Sequence, residues 1–316
     1  MQSPDTQAVA NALDLQSSVM TADVFGDSET GIEALADLDG DGVPELAVKW
    51  RPSPASAGVL PNPASPSLFV LSWNGKAWQA SYLVTGTYAA SLQAMPDGDS
   101  GAAIIAVTTI NGATETPYPV LFRFRGHQAL LLWDGRSDSS EYTGYDYGSI
   151  QFEKNKDGSM PEMIVSGRAD PGLLSVPKDP ENHDRGFQVT SLYAWKNGAY
   201  VPVHTEYSPS PDYTIYRFIA ALHLHDFQAA YALIAPQQFL KSNKPSLKVF
   251  QEQIQKQWPE FLDDRIFSVP SHSMDDPGGH TFILKLEDGL TNVYHPTLGA
   301  TPPYLLTGLE RTQSRD

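Results

Sequence analysis

Four carboxylates stand close together near the start of the chain, in the stretch D-L-D-G-D-G-V-P-E from Asp37 to Glu45. Hard divalent cations take oxygen ligands, and calcium accepts several in a flexible shell. Asp37, Asp39 and Asp41 fill loop positions one, three and five. Val43 offers a main-chain carbonyl at position seven, Glu45 an acid at position nine, and Gly42 lets the backbone turn sharply. Together they would wrap one ion. Position twelve, where a helix-flanked calcium loop carries its bidentate carboxylate, is Val48. The loop runs instead into Leu46-Ala47-Val48-Lys49-Trp50, an apolar, β-prone strand. The same residues also suit an acidic β-turn without metal.

The pattern D-x-D-x-D-G-x-x-[DE]-L, matched from Asp37 to Leu46, resembles the FG-GAP/VCBS repeats of integrin-type β-propellers. That resemblance covers residues 25–205 and implies structural Ca2+ and a propeller-like fold. Three stretches share one layout: strand, acidic turn, apolar strand, hairpin. In the second, Asp97-Gly98-Asp99 separates Ser91–Met95 from Ala103–Val107. In the third, the turn from Glu153 to Gly158 separates Ser149–Phe152 from Glu162–Val165. Glu153, Asn155, Asp157 and Glu162 make this third turn a second metal candidate, with a plain polar turn as the alternative. Hairpins follow at Asn74-Gly75, near Gly126 and at Asn197-Gly198, where positive φ is wanted. Each unit therefore holds about four strands, the content of one blade. Residues 1–30 suit a helix or a closing strand.

Ser208-Pro209-Ser210-Pro211-Asp212 reads as a linker, because repeated prolines cannot continue a sheet ladder. Beyond it Ile215, Phe218, Ile219 and Leu222 recur at helical spacing. A second apolar run from Phe227 to Ile234 is limited by Pro236. Ser246 is placed to cap a helix carrying Leu247, Phe250, Ile254 and Trp258 on one face. Strands are expected at Arg265–Val269, Thr281–Leu286, Thr291–Tyr294 and Tyr304–Leu309, with a turn at Glu287-Asp288-Gly289. The phrase from Phe218 to Ile234 and this element order resemble the cone fold of nuclear transport factor two, ketosteroid isomerase and SnoaL-like proteins. The resemblance implies a pocket between sheet and helices, and homodimerisation through the open sheet. His223, His225, His280 and His295 are the pocket candidates; capping or solvated histidines are the alternative.

The predicted fold class is thus mostly β plus α+β: a small propeller-like domain of about three four-stranded repeats over residues 1–207, a linker at 208–212 and an α+β cone-fold domain over 213–316. A formal charge of −16 on 316 residues disfavours nucleic acid and anionic membrane as partners. Hydrophobic content of 41% is that of a globular protein rather than a disordered one. The chain has no cysteine, so thiolate chemistry and disulfides are absent. No apolar run approaches the ~18 residues of a transmembrane helix. Met1-Gln2-Ser3-Pro4 lacks the basic and apolar regions of an export signal; the calcium-type loop alone motivates a periplasmic, cell-surface or secreted location.

No phosphate-binding loop, H-E-x-x-H or G-x-S-x-G motif occurs. Asp263-Asp264 and Asp275-Asp276 lie beside turn residues, and no residue is assigned as catalytic. Trp73, Trp78, Trp133 and Trp195 suit either carbohydrate binding or a core. The sequence therefore points to a non-enzymatic, calcium-stabilised binding or scaffolding protein of the bacterial cell envelope, with a protein or carbohydrate partner. The alternative is a small-ligand-binding or catalytic cone domain with the β domain as a targeting arm.

Overall fold

The computed structural model describes residues 31–50, 67–84, 88–96, 103–111, 115–137, 140–155, 159–173, 186–262, 282–285 and 291–314. The chain separates into two compact units. One comprises Met1–Arg168 with Val189–Glu206; the other comprises Ala169–Gln188 with Tyr207–Asp316.

The first unit contains three four-stranded sheets, each laid down in chain order. The first sheet is β1 (Gly31–Ala34), β2 (Leu46–Trp50), β3 (Ser67–Trp73) and β4 (Trp78–Val84). The second is β5 (Tyr88–Pro96), β6 (Ala103–Asn111), β7 (Thr116–Arg125) and β8 (Gln128–Asp134). The third is β9 (Asp146–Glu153), β10 (Glu162–Ala169), β11 (Phe187–Lys196) and β12 (Ala199–Tyr207). In each sheet a tight hairpin joins strands three and four, and in the first sheet the acidic loop joins strands one and two.

The hairpins differ in how they turn. At Gly126-His127 and Asn197-Gly198 both residues have positive φ, as the right-handed twist of the flanking strands favours. At Asn74-Gly75 only Gly75 does. Asn74 keeps ordinary φ and folds its side chain back, Oδ1 accepting from the N–H groups of Lys76 and Ala77 at 3.0 and 2.9 Å. A side-chain turn there replaces the two-residue turn that Asn-Gly predicts.

Successive side chains on a strand point to opposite faces. Ala103, Ile105 and Val107 of β6 and Val120, Phe122 and Phe124 of β7 pack with Ala47, Leu68, Val70 and Leu83 of the first sheet. Leu38, from the acidic loop, joins this core. Ile104 and Leu121, on the alternate face, are also fully buried. Trp133 sits opposite Leu121 and meets the third sheet, its ring 5.3 Å from that of Tyr200. The central strands β6 and β7 are therefore covered on both faces, which explains their continuous apolar runs, while Leu130 and Leu131 of the edge strand β8 are exposed.

In the second unit, α1 (Pro211–His223) is capped by Ser210, whose Oγ accepts from Tyr213 N. Pro211 opens the helix, where its missing N–H costs nothing; the expected linker thus ends at Ser210. The run after it divides in two. α2 (Phe227–Tyr231) stops early, Ile234 bridges to Leu306, and Pro236 begins α3 (Pro236–Phe239). α4 (Leu247–Gln257) is capped by Ser246 and buries Phe250 and Ile254. A 3₁₀ turn, Pro259–Leu262, follows. The sheet is β13 (Phe282–Lys285), β14 (Thr291–Leu298) and β15 (Leu306–Ser314). Helices and sheet share a core built on Phe218, Phe239, Phe250, Phe261, Tyr294 and Leu306.

The stretch after β10 belongs to this unit as well. Tyr216 Oη donates to Asp170 Oδ1 at 3.0 Å, Leu173 N donates to Tyr216 Oη at 3.1 Å, and the Phe187 ring lies 5.0 Å from that of Tyr216. The expected helix or strand in residues 1–30, the strand at 265–269, the turn at 287–289 and the acid pairs at 263–264 and 275–276 lie outside the described residues.

Candidate metal centre

The acidic loop spans the β1–β2 connection, closed by Leu35 N donating to Glu45 O at 2.7 Å. Its geometry is set by carboxylates accepting from their own backbone. Asp37 Oδ1 accepts from Gly40 N at 2.7 Å and its Oδ2 from Gly42 N at 2.9 Å. Gly40 and Gly42 have φ of +80° and +87°, a conformation that side-chain-bearing residues rarely adopt. Asp39 Oδ1 accepts from Asp41 N at 3.3 Å, and Asp41 Oδ1 from Val43 N at 2.7 Å.

These turns converge carboxylate oxygens of Asp37, Asp39 and Glu45 within 4.8 Å of one another. Oxygens bound to one calcium at about 2.3–2.6 Å can be no more than roughly 5 Å apart, so the three fit a single shell. Asp41 is not in the group. It is exposed, and one of its oxygens is engaged by Val43 N. Val43 takes part here through its N–H.

Glu45 is the unusual member. It is 1% exposed. Its Oε2 accepts from Leu38 N at 2.5 Å, while Oε1 is buried with no hydrogen-bond partner. Burial is the main cause that pushes its carboxyl from the ordinary 4.5 up to about 7; the charges of Asp39 and Asp37 add to the rise, and the Leu38 N–H opposes it. A buried acceptor without a donor is costly, and a cation among these oxygens would remove that cost.

Two further residues reach the loop. His127 Nδ1 lies 2.8 Å from Asp39 Oδ2, and Ser72 Oγ lies 2.6 Å from the same ring nitrogen. Sequence reasoning did not single out either. Ser72 carries a signal, being a hydroxyl between Leu71 and Trp73 in an apolar run from Leu68; His127, on the turn of a different sheet, has none at the level of spacing.

The other candidates are placed as follows. Asp97, Asp99 and Asp157 lie outside the described residues. Glu153 and Glu162 face each other across β9 and β10. Asn155 closes its own loop, Nδ2 donating to Ser159 Oγ and the Met160 carbonyl at 3.0 and 2.6 Å. Among the described residues the metal-type group is the one at Asp37, Asp39 and Glu45.

His225 and His295 are exposed, and His223, partly buried at the end of α1, has an unpartnered Nδ1. His280 lies outside the described residues. A shallow groove of about 480 Å³ in the second unit is lined by Tyr231, Pro236, Gln237, Pro245 and Leu305 among others, with no histidine or carboxylate. Trp133 is buried, Trp195 packs on Tyr200 at 5.1 Å, and Trp73 and Trp78 meet edge-on at 5.6 Å. Among the described residues no helix is long and apolar enough to cross a membrane. No protein-family model and no curated protein matches the chain.

Proposed function

We propose that this protein is a non-catalytic binding or scaffolding module whose front unit is stabilised by one structural calcium ion held by Asp37, Asp39 and Glu45. The observation that carries this reading is Glu45 Oε1, buried and partnerless beside two other carboxylates. In water three such groups would repel and hydrate separately; in this loop one of them is dry. A bound divalent cation supplies the missing positive charge and pins the β1–β2 connection.

The three consecutive four-stranded meanders, each with acidic residues in the sequence between its first two strands, support an FG-GAP/VCBS-like, propeller-type organisation. Loops of this charge in extracellular modules bind calcium at about 10⁻⁴–10⁻³ M, which suits an extracytoplasmic location. For the second unit, helices followed by antiparallel strands support a cone-type fold. Its aromatic core, Phe218 through Tyr294, occupies the space between the described helices and sheet. That filling favours binding or assembly over catalysis there.

Differential scanning calorimetry in chelator and in 10⁻² M-range calcium tests the reading. Calcium is expected to raise the melting temperature, and Asp39→Ala to abolish the rise. A melting curve indifferent to both calcium and chelator refutes it.

A further inference from the structure

The metal loop belongs to the first sheet, yet one of its acids is held from the second. His127, on the β7–β8 turn, brings Nδ1 to 2.8 Å from Asp39 Oδ2 and 2.6 Å from Ser72 Oγ. Ser72 Oγ lies 3.4 Å from that same Asp39 oxygen. One proton arrangement satisfies all three contacts. Nδ1–H points toward both oxygens, and the Ser72 hydroxyl donates to Asp39. Serine and aspartate share one ring nitrogen, so this is no nucleophile–base relay, which engages the two nitrogens separately. It is a holder for a carboxylate.

The backbone of the same turn is fastened to the first sheet by Ser81 of β4. Its Oγ donates to the His127 carbonyl at 3.3 Å and accepts from Ala129 N at 3.2 Å. His127 itself adopts φ +65°, a left-handed conformation that Asn and Asp tolerate better than most residues.

We propose that His127 is a positioning residue of the metal centre, through which the ion in the first sheet is coupled to docking of the β7–β8 turn of the second. The proposal rests on the calcium reading above. Partners that orient a ligating carboxylate typically change metal affinity by about 10–100-fold. Linkage makes the coupling reciprocal: a docked turn tightens ion binding, and a bound ion tightens docking.

The test uses the full chain as wild type, His127→Asn and His127→Asp, with calcium titration calorimetry and amide hydrogen exchange. Asn and Asp match in size and in tolerance of this backbone, but Asn keeps an N–H donor near the place of Nδ1, whereas Asp turns oxygen toward Asp39. His127→Asn is expected to bind calcium close to wild type, and His127→Asp about 10–100-fold more weakly. Calcium is expected to slow exchange over residues 126–129 in wild type and His127→Asn only. Equal affinities in the two variants, or exchange at 126–129 that ignores calcium in wild type, overturns the coupling and leaves calcium binding standing. The exchange measurement on wild type needs no variant, so it decides the matter even where His127→Asp does not fold. No calcium heat from wild type at millimolar ion overturns the metal reading itself.

Discussion

Replacing Glu45 by glutamine separates a metal ligand from an ordinary buried acid, because the two roles give opposite signs in chelator and in calcium. The introduced amide keeps an oxygen for the Leu38 N–H and puts its nitrogen in place of the buried, unpartnered Glu45 Oε1, in the loop that also holds the Asp37 and Asp39 carboxylates. Leaving a buried polar group unsatisfied costs about 1–3 kcal/mol. For a unit of roughly 150–250 residues, each kcal/mol moves the midpoint by about 2–4 °C. In chelator at pH 8, with Glu45 ionised, Glu45→Gln should therefore melt roughly 2–12 °C higher than wild type. At pH 5 wild-type Glu45 holds its proton and the gap should close. Calcium at 100 times its dissociation constant stabilises wild type by about 2.7 kcal/mol; the variant, short of one charged ligand, should barely respond. Scanning calorimetry of both proteins at pH 5 and pH 8, in chelator and in calcium, reads every arm. A variant that melts below wild type in chelator at pH 8 and still gains fully from calcium refutes the assignment of Glu45 as ligand.

Calcium affinity should climb with pH. The folded carboxyl of Glu45, raised from 4.5 to about 7, keeps a proton that the unfolded chain releases, so without metal stability falls as pH rises through that window. An ion must displace that proton, and binding by calorimetry should strengthen about tenfold from pH 6 to pH 8, then level off; a flat profile contradicts this. Asp41→Ala should weaken calcium binding less than Asp39→Ala, since Asp41 stands outside the converging group; equal losses would restore it as a ligand. In the second unit, Phe250→Ala removes a fully buried ring that meets Phe218, Phe239 and Tyr231. Denaturant unfolding should show a loss of about 3–5 kcal/mol, and a loss under ~1 kcal/mol would mean the core there collapses around the gap.

The loop and its flanking strand are legible in the sequence because their determinants are local. Alternating aspartates, a glycine at the sixth position and a β-branched exit specify a turn and a strand without help from elsewhere. The three meanders are legible for the same reason, each being punctuated by acidic and glycine-containing turns. What escapes is tertiary. The Asp41 side chain accepts from the Val43 N–H and stands outside the converging group, a difference from Asp37 and Asp39 that the ligand pattern does not encode. Ser72 reaches the site from β3 of the same sheet, and His127 from the turn of another sheet, neither of which spacing along the chain reports. Pro211 and Pro236 mislead in one way. Read as breakers, both begin helices, since proline harms a helix interior and suits its first turn. The bond from Tyr216 to Asp170 joins residues far apart along the chain, and no local pattern reports it.

The route of the chain after β10 has a consequence for anyone wishing to dissect the protein. Asp170, Leu173 and Phe187 contact tyrosines of α1, while β11 and β12 complete the third sheet. The backbone crosses between units more than once, so no single scissile bond yields both halves intact. A fragment ending just before α1 would carry Phe187 and Asp170 stripped of Tyr213 and Tyr216, and a fragment beginning there would lack the Phe187 and Asp170 that contact those tyrosines. Expression trials should keep the whole polypeptide, or splice out the excursion with a short bridge between the ends of β10 and β11.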